Sequence, residues 1–196
     1  MASSNVSQFL STIGQGVKPN MFLVNIQFPS RISGGKDLNL TNILCKSAAL
    51  PGSNLGVIEV PFRGRTVKIA GDRTFDTWTT TFFNDKDFKL RTYFEEWANS
   101  INTHDGNTAP LFRPNRSEGY MAELQVDQLE KSEKPEGEIL RRYILKHCFP
   151  TNVSQIDLAY DSNDQIEEFT VEWQYSFFTA EAPTGSRGEV SSIPVV

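Results

Sequence analysis

The chain has 196 residues, of which 38% are hydrophobic, 22% charged and 11% aromatic, a composition that excludes global disorder and, with 14 Phe, leans towards β-rich packing. Its formal net charge of −5 argues against a surface built to hold nucleic acid by neutralising phosphates. At this length the expectation is one domain, with insertions or tails.

Val6, Phe9, Leu10 and Ile13 recur at i, i+3, i+4 and i+7 after Ser4 and Asn5, and Gly14 and Gly16 follow. This spacing predicts a short amphipathic helix, too short to be stable alone. Over residues 21–28 the period changes. Phe22, Val24, Ile26 and Phe28 alternate with Leu23, Asn25 and Gln27, which predicts a strand with one apolar face, closed by Pro29, Gly34 and Gly35. A second strand is expected over residues 38–46, and AALPGSNLG reads as a loop. Ile58, Val60 and Phe62 then alternate with Glu59, Pro61 and Arg63, and RTVKIA runs from Gly64 to an expected turn at Gly71 and Asp72. TFDTWTTTFF has the composition of a half-buried strand, stopped by Asn84 and Asp85.

Residues 85–101 predict the one long helix, with Leu90, Phe94, Trp97, Ala98 and Ile101 as its core-facing stripe and Asn84 or Asp85 as its cap. The polar run over residues 102–119 is expected to be an insertion or a contact element. Tyr120, Ala122, Leu124 and Val126 alternate with polar residues, and the charged tip EKSEKPEGE leads back into ILRRYILKHCF, a hairpin. NVSQIDLAY and QIEEFTVEWQYSF, flanking DSND, predict another. In its last strand Glu167, Phe169, Val171, Trp173, Tyr175 and Phe177 share one face, and Glu168, Thr170, Glu172, Gln174 and Ser176 share the other. Strands on both sides of a single helix, without a βαβ rhythm, predict a mainly β fold: an antiparallel sandwich or barrel with one flanking α-helix. The expected divisions are an N-terminal arm over 1–16, a sandwich domain over 17–178 and a flexible tail over 179–196, rich in Pro, Gly and Ser.

Little in the chain points to chemistry. Cys45 and Cys148 lie outside any C-x-x-C spacing and read as unpaired thiols. His147 and Cys148 are neighbours on a strand, so they point to opposite faces and cannot share a metal ion. The glycines of PGSNLG and FRGR lack the Lys-Ser/Thr ending of a phosphate loop. Glu95 with Glu96, and Glu167 with Glu168, are adjacent carboxylates that diverge rather than flank one bond. No catalytic, cofactor-binding or metal site is expected, and no apolar stretch approaches the ~18 residues of a membrane span.

The segment AGDRTFDTWTTTFFND, with Gly71, Asp72, Arg73, Thr74, Phe75 and Asp76 at its head, resembles the signature of the tail tube proteins of contractile phages. GVKPNMFLVNI, CKSAALPG and FPTNVSQIDLAYDSNDQIEEFTVEW match in the same order, so the resemblance covers residues 17–176 with gaps. Departures lie at 30–36, at 102–119 and after Phe178. The resemblance implies a β-sandwich that forms hexameric rings, stacked into a hollow tube inside a contractile sheath, through which DNA passes without specific binding. Implied partners are further copies of the chain, the sheath, baseplate and tail terminator proteins, and a tape measure protein in the lumen. The implied place is the virion tail, assembled in the host bacterial cytoplasm. Type VI and extracellular contractile injection system tube proteins and baseplate tube initiators are similar enough to remain alternatives. A carbohydrate-active β-sandwich is the alternative of another class.

Two surfaces are singled out. Leu50, Pro51, Gly52, Leu55 and Val57 form an apolar, glycine-flanked loop that costs solubility unless covered, and the resemblance implies that this loop stacks on the next ring. Glu168, Thr170, Glu172 and Gln174 form a strand face without a basic residue, which suits the lining of a DNA conduit because Lys and Arg would slow phosphates.

Overall fold

The computed structural model describes residues 2–14, 16–30, 32, 38–108, 119–130 and 138–181. Helix α1 (Ala2–Ile13) ends where Gly14 takes a left-handed φ of 55°. Strand β1 (Phe22–Ile26) follows, then a short helix α2 (Leu38–Leu44) running into β2 (Cys45–Ala48). Next come β3 (Asn54–Phe62), β4 (Arg65–Thr74) and β5 (Trp78–Phe83), and then the long helix α3 (Lys89–Ile101). Strands β6 (Ala122–Glu130), β7 (Glu138–Val153), β8 (Glu168–Gln174) and β9 (Phe177–Glu181) complete the described chain.

Seven strands form one antiparallel sheet in the order β1-β6-β7-β8-β5-β2, with β9 also paired to β7. Strand β7 is the hinge of this layout. At 16 residues it spans about 50 Å; its first half pairs with β6 and β9, its second with β8. His147 takes a left-handed φ of 57° between the two halves, a kink that an L-residue adopts only under local constraint. The kink and three register shifts along β7 fold the sheet over its own apolar face.

That face is the core. Val24 and Ile26 of β1, Leu124 and Val126 of β6, Leu145 of β7, and Phe169, Val171 and Trp173 of β8 are buried with Phe82 of β5. Helix α3 contributes Leu90, Phe94 and Trp97, as its helical spacing predicts. The rings interlock: Trp97 meets Trp173 at 5.4 Å between centroids, and Phe94 meets Phe82 at 5.3 Å. Both buried indoles are satisfied, since Trp173 Nε1 donates to Thr80 Oγ1 at 2.9 Å and Trp97 Nε1 donates to the Tyr120 carbonyl at 2.8 Å. Helix α3 starts at Lys89 rather than at 85, with Phe88 in a left-handed conformation at its N-cap position in place of Asn84 or Asp85; the Asp85 carboxylate still accepts from the Lys89 and Leu90 amides of the first turn. A sandwich with a flanking helix is therefore the architecture.

Four sequence expectations are corrected. Residues 38–44 are helix α2 rather than strand, because Leu40 and Leu44, at i and i+4, turn together towards the core. Thr41, buried between them, donates to the Val24 carbonyl, so α2 covers the outer edge of β1. Gly71 and Asp72 form no turn; they lie within β4 as the extra residues of a bulge opposite Gly56. The stretch 154–160 is not a strand, since β7 ends at Val153 and Ser154 closes the ladder through its bonds with Thr170. Finally, the last expected strand breaks at Tyr175 and Ser176, and Phe177 begins β9 beside Lys146 on the other half of the sheet. The loop segment 109–118, the hairpin tip 131–137 and the tail 182–196 lie outside the described residues.

Candidate functional site

Strands β3 and β4 pair only with each other and stand off the main sheet. Their turn is Arg63-Gly64 with φ of 47° and 80°, the two left-handed residues that a tight hairpin needs to match strand twist. Register then fixes the faces. Ile58 lies opposite Ile69, Val60 opposite Val67, and Phe62 opposite Arg65. These make one face with five large apolar side chains, all exposed, Phe62 at 62% and Val60 at 41%. The other face carries Val57, Glu59 and Pro61 opposite Ala70, Lys68 and Thr66, with an exposed Glu59–Lys68 ion pair at 3.5 Å.

The signature residues are the root that aims this hairpin. A Cβ on Gly56 would stand 3.2 Å from the Asp72 carbonyl, and one on Gly71 would stand 3.2 Å from Gly56 backbone atoms. Two glycines thus let the strands approach at the bulge, which raises local twist and re-aims the hairpin. Arg73 donates to Ser53 Oγ at 3.3 Å, and Asn54 donates to the Asp76 carboxylate at 2.6 Å. Phe75 packs between Tyr175 and Phe178 at 5.6 and 5.7 Å. The Tyr175 hydroxyl donates to the Gly52 carbonyl, and burial beside Asp76 raises its pKa. Sequence reading singled out these residues; their mechanical part appears only in the fold.

Of the stacking-loop residues, Leu50, Gly52, Leu55 and Val57 are exposed, whereas Pro51 is buried against its own chain. Leu55 and Val57 lie in β3, on the opposite face from Ile58. The structure brings this loop and the signature together at one end of β5, where Trp78 Nε1 donates to the Ala49 carbonyl at 2.6 Å.

Glu168, Thr170, Glu172 and Gln174 do share a face of β8, pointing away from the core. Thr81 meets Thr170 at 3.3 Å, and Gln174 donates to Thr77 at 2.8 Å, so the face is rich in hydroxyls and amides. Strand β2 adds what the β8 sequence could not show: Lys46 lies 2.6 Å from both carboxylate oxygens of Glu168. The ion pair offsets Glu168 and leaves Glu172 as the charge of the four residues, so the patch is weakly acidic and, contrary to the reading of β8 alone, does carry a basic neighbour. Glu167 instead accepts from Asn84 Nδ2, so the two adjacent carboxylates serve separate partners.

Two apolar surfaces escaped the sequence reading. One is the hairpin face itself; the alternation of Ile58, Val60 and Phe62 was visible, but not that none of the described residues covers it. The other is the β7–β8 loop, where Leu158 is 80% exposed and Tyr160 and Ile166 also face solvent. Helix α1 likewise exposes Val6, Phe9, Leu10 and Ile13. Cys45 and Cys148 are free thiols pushed up to about 12 by burial, and are inert at neutral pH. Among the described residues no cluster of His, Cys, Asp and Glu could hold a metal ion, and no helix is long and apolar enough to cross a membrane.

The family model of the phage tail tube protein matches residues 17–181. The chain is 34% identical over 158 residues to the tail tube protein gp19 of Enterobacteria phage T4, covering 81% of this chain and 88% of that one. It is 25% identical over 176 residues to the tail tube protein of Serratia phage KSP90, covering 89% and 95%. In fold it is similar to a chain of the PVC extracellular contractile injection system sheath–tube complex, with a TM-score of 0.59, 17% identity and coverage of 88% and 97%. A chain of the anti-feeding prophage tube-terminating cap gives a TM-score of 0.60 at 16% identity, covering 85% and 91%. The carbohydrate-active alternative finds no support. With a model spanning the whole sandwich and relatives of this identity, the chain belongs to the phage tail tube protein family, as a structural tail tube protein of the contractile type.

Proposed function

We propose that the chain self-assembles into six-membered rings that stack into the hollow inner tube of a contractile tail, and that its work is structural rather than enzymatic. The observation that carries this reading is the β3–β4 hairpin, whose apolar face has no place in its own sandwich. A monomer exposing so much contiguous apolar surface is poorly soluble, whereas a repeated assembly covers it in every copy. Leu50, Gly52, Leu55 and Val57 flank the hairpin root and belong to the same stacking surface, with buried Pro51 shaping its loop.

The weakly acidic face of Glu168, Thr170, Glu172 and Gln174 is the lumen lining in this reading. Phosphates crossing it meet hydroxyls, amides and a closed ion pair, so DNA passes without being held. The body over 17–181, where β9 carries the sheet past the expected boundary at 178 by pairing with β7, forms the ring, while the arm over 1–16 packs against neighbouring subunits, a reading supported by the exposed stripe of α1. Sheath, baseplate and terminator proteins are the outer and end partners, a reading supported by fold neighbours from a sheath–tube complex, a baseplate and a cap. A tape measure protein occupies the lumen before DNA, and assembly takes place in the host cytoplasm.

Electron microscopy of the purified and the virion-associated protein tests the reading. Six-fold rings and tubes are expected in both. Compact monomers in virions as well as in solution would overturn it.

A further inference from the structure

The hairpin and the β7–β8 loop leave opposite ends of the same strands. Strands β5 and β8 pair from Trp78 with Trp173 to Phe83 with Glu168. The hairpin root is fastened at the first end, through Trp78, Asp76 and Tyr175. The loop 154–167 is fastened at the other, where Ser154 bonds to Thr170 and Asn84 bonds to Glu167. Six residues of strand put the two ends about 20 Å apart. From its end the hairpin projects about 30 Å, the length of nine extended residues.

The loop frames a cleft of about 510 Å³ lined by Ile156, Leu158 and Ile166 among polar side chains, with the Asp157 and Glu167 carboxylates beside them and Glu168 already paired to Lys46. Its sequence, SQIDLAYDSNDQIE, contains four acidic residues and no basic one. The hairpin tip, FRGRTVK, contains three basic residues and no acidic one. Phe62 stands exposed at that tip with the Arg63 guanidinium 5.3 Å from its ring. Phe62 with its basic neighbours is thus carried by a hairpin rooted at one end of the subunit, and a mostly polar, acidic cleft that includes Ile156, Leu158 and Ile166 opens at the other.

We infer that the hairpin tip of one copy seats in the 156–168 cleft of a copy in the neighbouring ring, with Phe62 against Leu158 and Ile166 and with Arg63 and Arg65 among the loop carboxylates. The inference rests on the stacked-ring reading and names the receptor that the hairpin uses. Knob and cleft lie on different surfaces, so the contact is heterologous and repeats without closing, which is the symmetry of a growing stack. Opposite charges fix its polarity: tip against tip and cleft against cleft both repel. Stacking should weaken as salt screens the rim.

Thr66→Cys with Ala159→Cys, in a chain where Cys45→Ser removes the half-buried native thiol, places one exposed thiol on each side, while Cys148 stays buried. Mild oxidation of assembled tubes should give a covalent ladder that continues beyond the number of subunits in a ring. A ladder that stops at the ring number, or no ladder from intact tubes, would overturn the inference and leave the tube reading standing. Failure of the unsubstituted protein to form tubes would instead strike the tube reading itself. If the cysteine variant does not assemble, charge reversal decides. R63E with R65E, and D157K with D161K, should each lower tube yield at least tenfold, and combining all four should restore it. No recovery in the combined variant, with native circular dichroism, would overturn the inference.

Discussion

The curled sheet and the β3–β4 hairpin are made from the same kinds of residue and use them in opposite ways. In the sheet, Phe82, Phe169, Val171 and Trp173 alternate with polar neighbours and vanish into the core. In the hairpin, Ile58, Val60, Phe62, Val67 and Ile69 alternate just as strictly and stay exposed. Alternation therefore specifies a face, not its destination. The first face folds the subunit; the second is the one we propose for assembly.

Substitutions should separate these two uses. The largest effect is expected from Trp173→Ala, which removes a fully buried indole packed on Trp97 and Phe94 and bonded to Thr80. It should cost about 3–5 kcal/mol and leave little folded protein, read as a collapse of the denaturation midpoint. Asp127→Ala comes next. The Asp127 carboxylate, 3% exposed, accepts from the Arg142 guanidinium at 2.9 and 3.0 Å, and that bond raises the Arg142 pKa. Losing it should cost about 2 kcal/mol, lowering the thermal midpoint while tubes still form from the folded fraction. A loss of another kind should follow alkaline pH. Both thiols have pKa values raised by burial to about 12, so the folded state keeps protons that the unfolded chain loses. Stability from this source is complete below pH 9 and falls as pH rises towards 12, by up to about 1.4 kcal/mol per thiol per pH unit. Cys45→Ser with Cys148→Ala should flatten that slope. Smallest on stability is Val60→Asp, expected to cost about 1 kcal/mol through strand propensity because the side chain, 41% exposed, lies outside the core. Its effect on tube yield should be near-complete loss.

Much of the sheet was legible because a buried face imposes strict alternation, as in Val24 and Ile26 or Phe169 to Trp173. Helix α3 was legible for the equivalent reason at period 3.6. Where burial is one-sided and short, the pattern is ambiguous: LNLTNIL alternates like a strand yet folds as α2 because Leu40 and Leu44 meet one turn apart. In NVSQIDLAY, alternation continues past Val153 with no partner strand to receive it. Ser176 interrupts a continuous pattern because its amide bonds to Lys146 on the other half of the sheet, a contact made by topology alone. The candidate site divides in the same way. Leu50, Leu55 and Val57 could be marked as an exposed loop, and Gly71 to Asp76 as a signature, but the bulge that aims the hairpin depends on pairing Gly56 with Gly71 and Asp72. Likewise Lys46 reaches Glu168 across 122 residues, so the charge of the β8 face could not be read from β8.

The central claim is that the hairpin's apolar face exists for assembly rather than for folding. Cryo-electron microscopy of assembled tubes tests it most directly, by locating Ile58, Val60, Phe62, Val67 and Ile69 relative to the neighbouring ring. The account predicts that all five are buried against other copies, with each hairpin crossing a ring boundary. Hairpins that lie on the outside of the tube with this face still in solvent would contradict it.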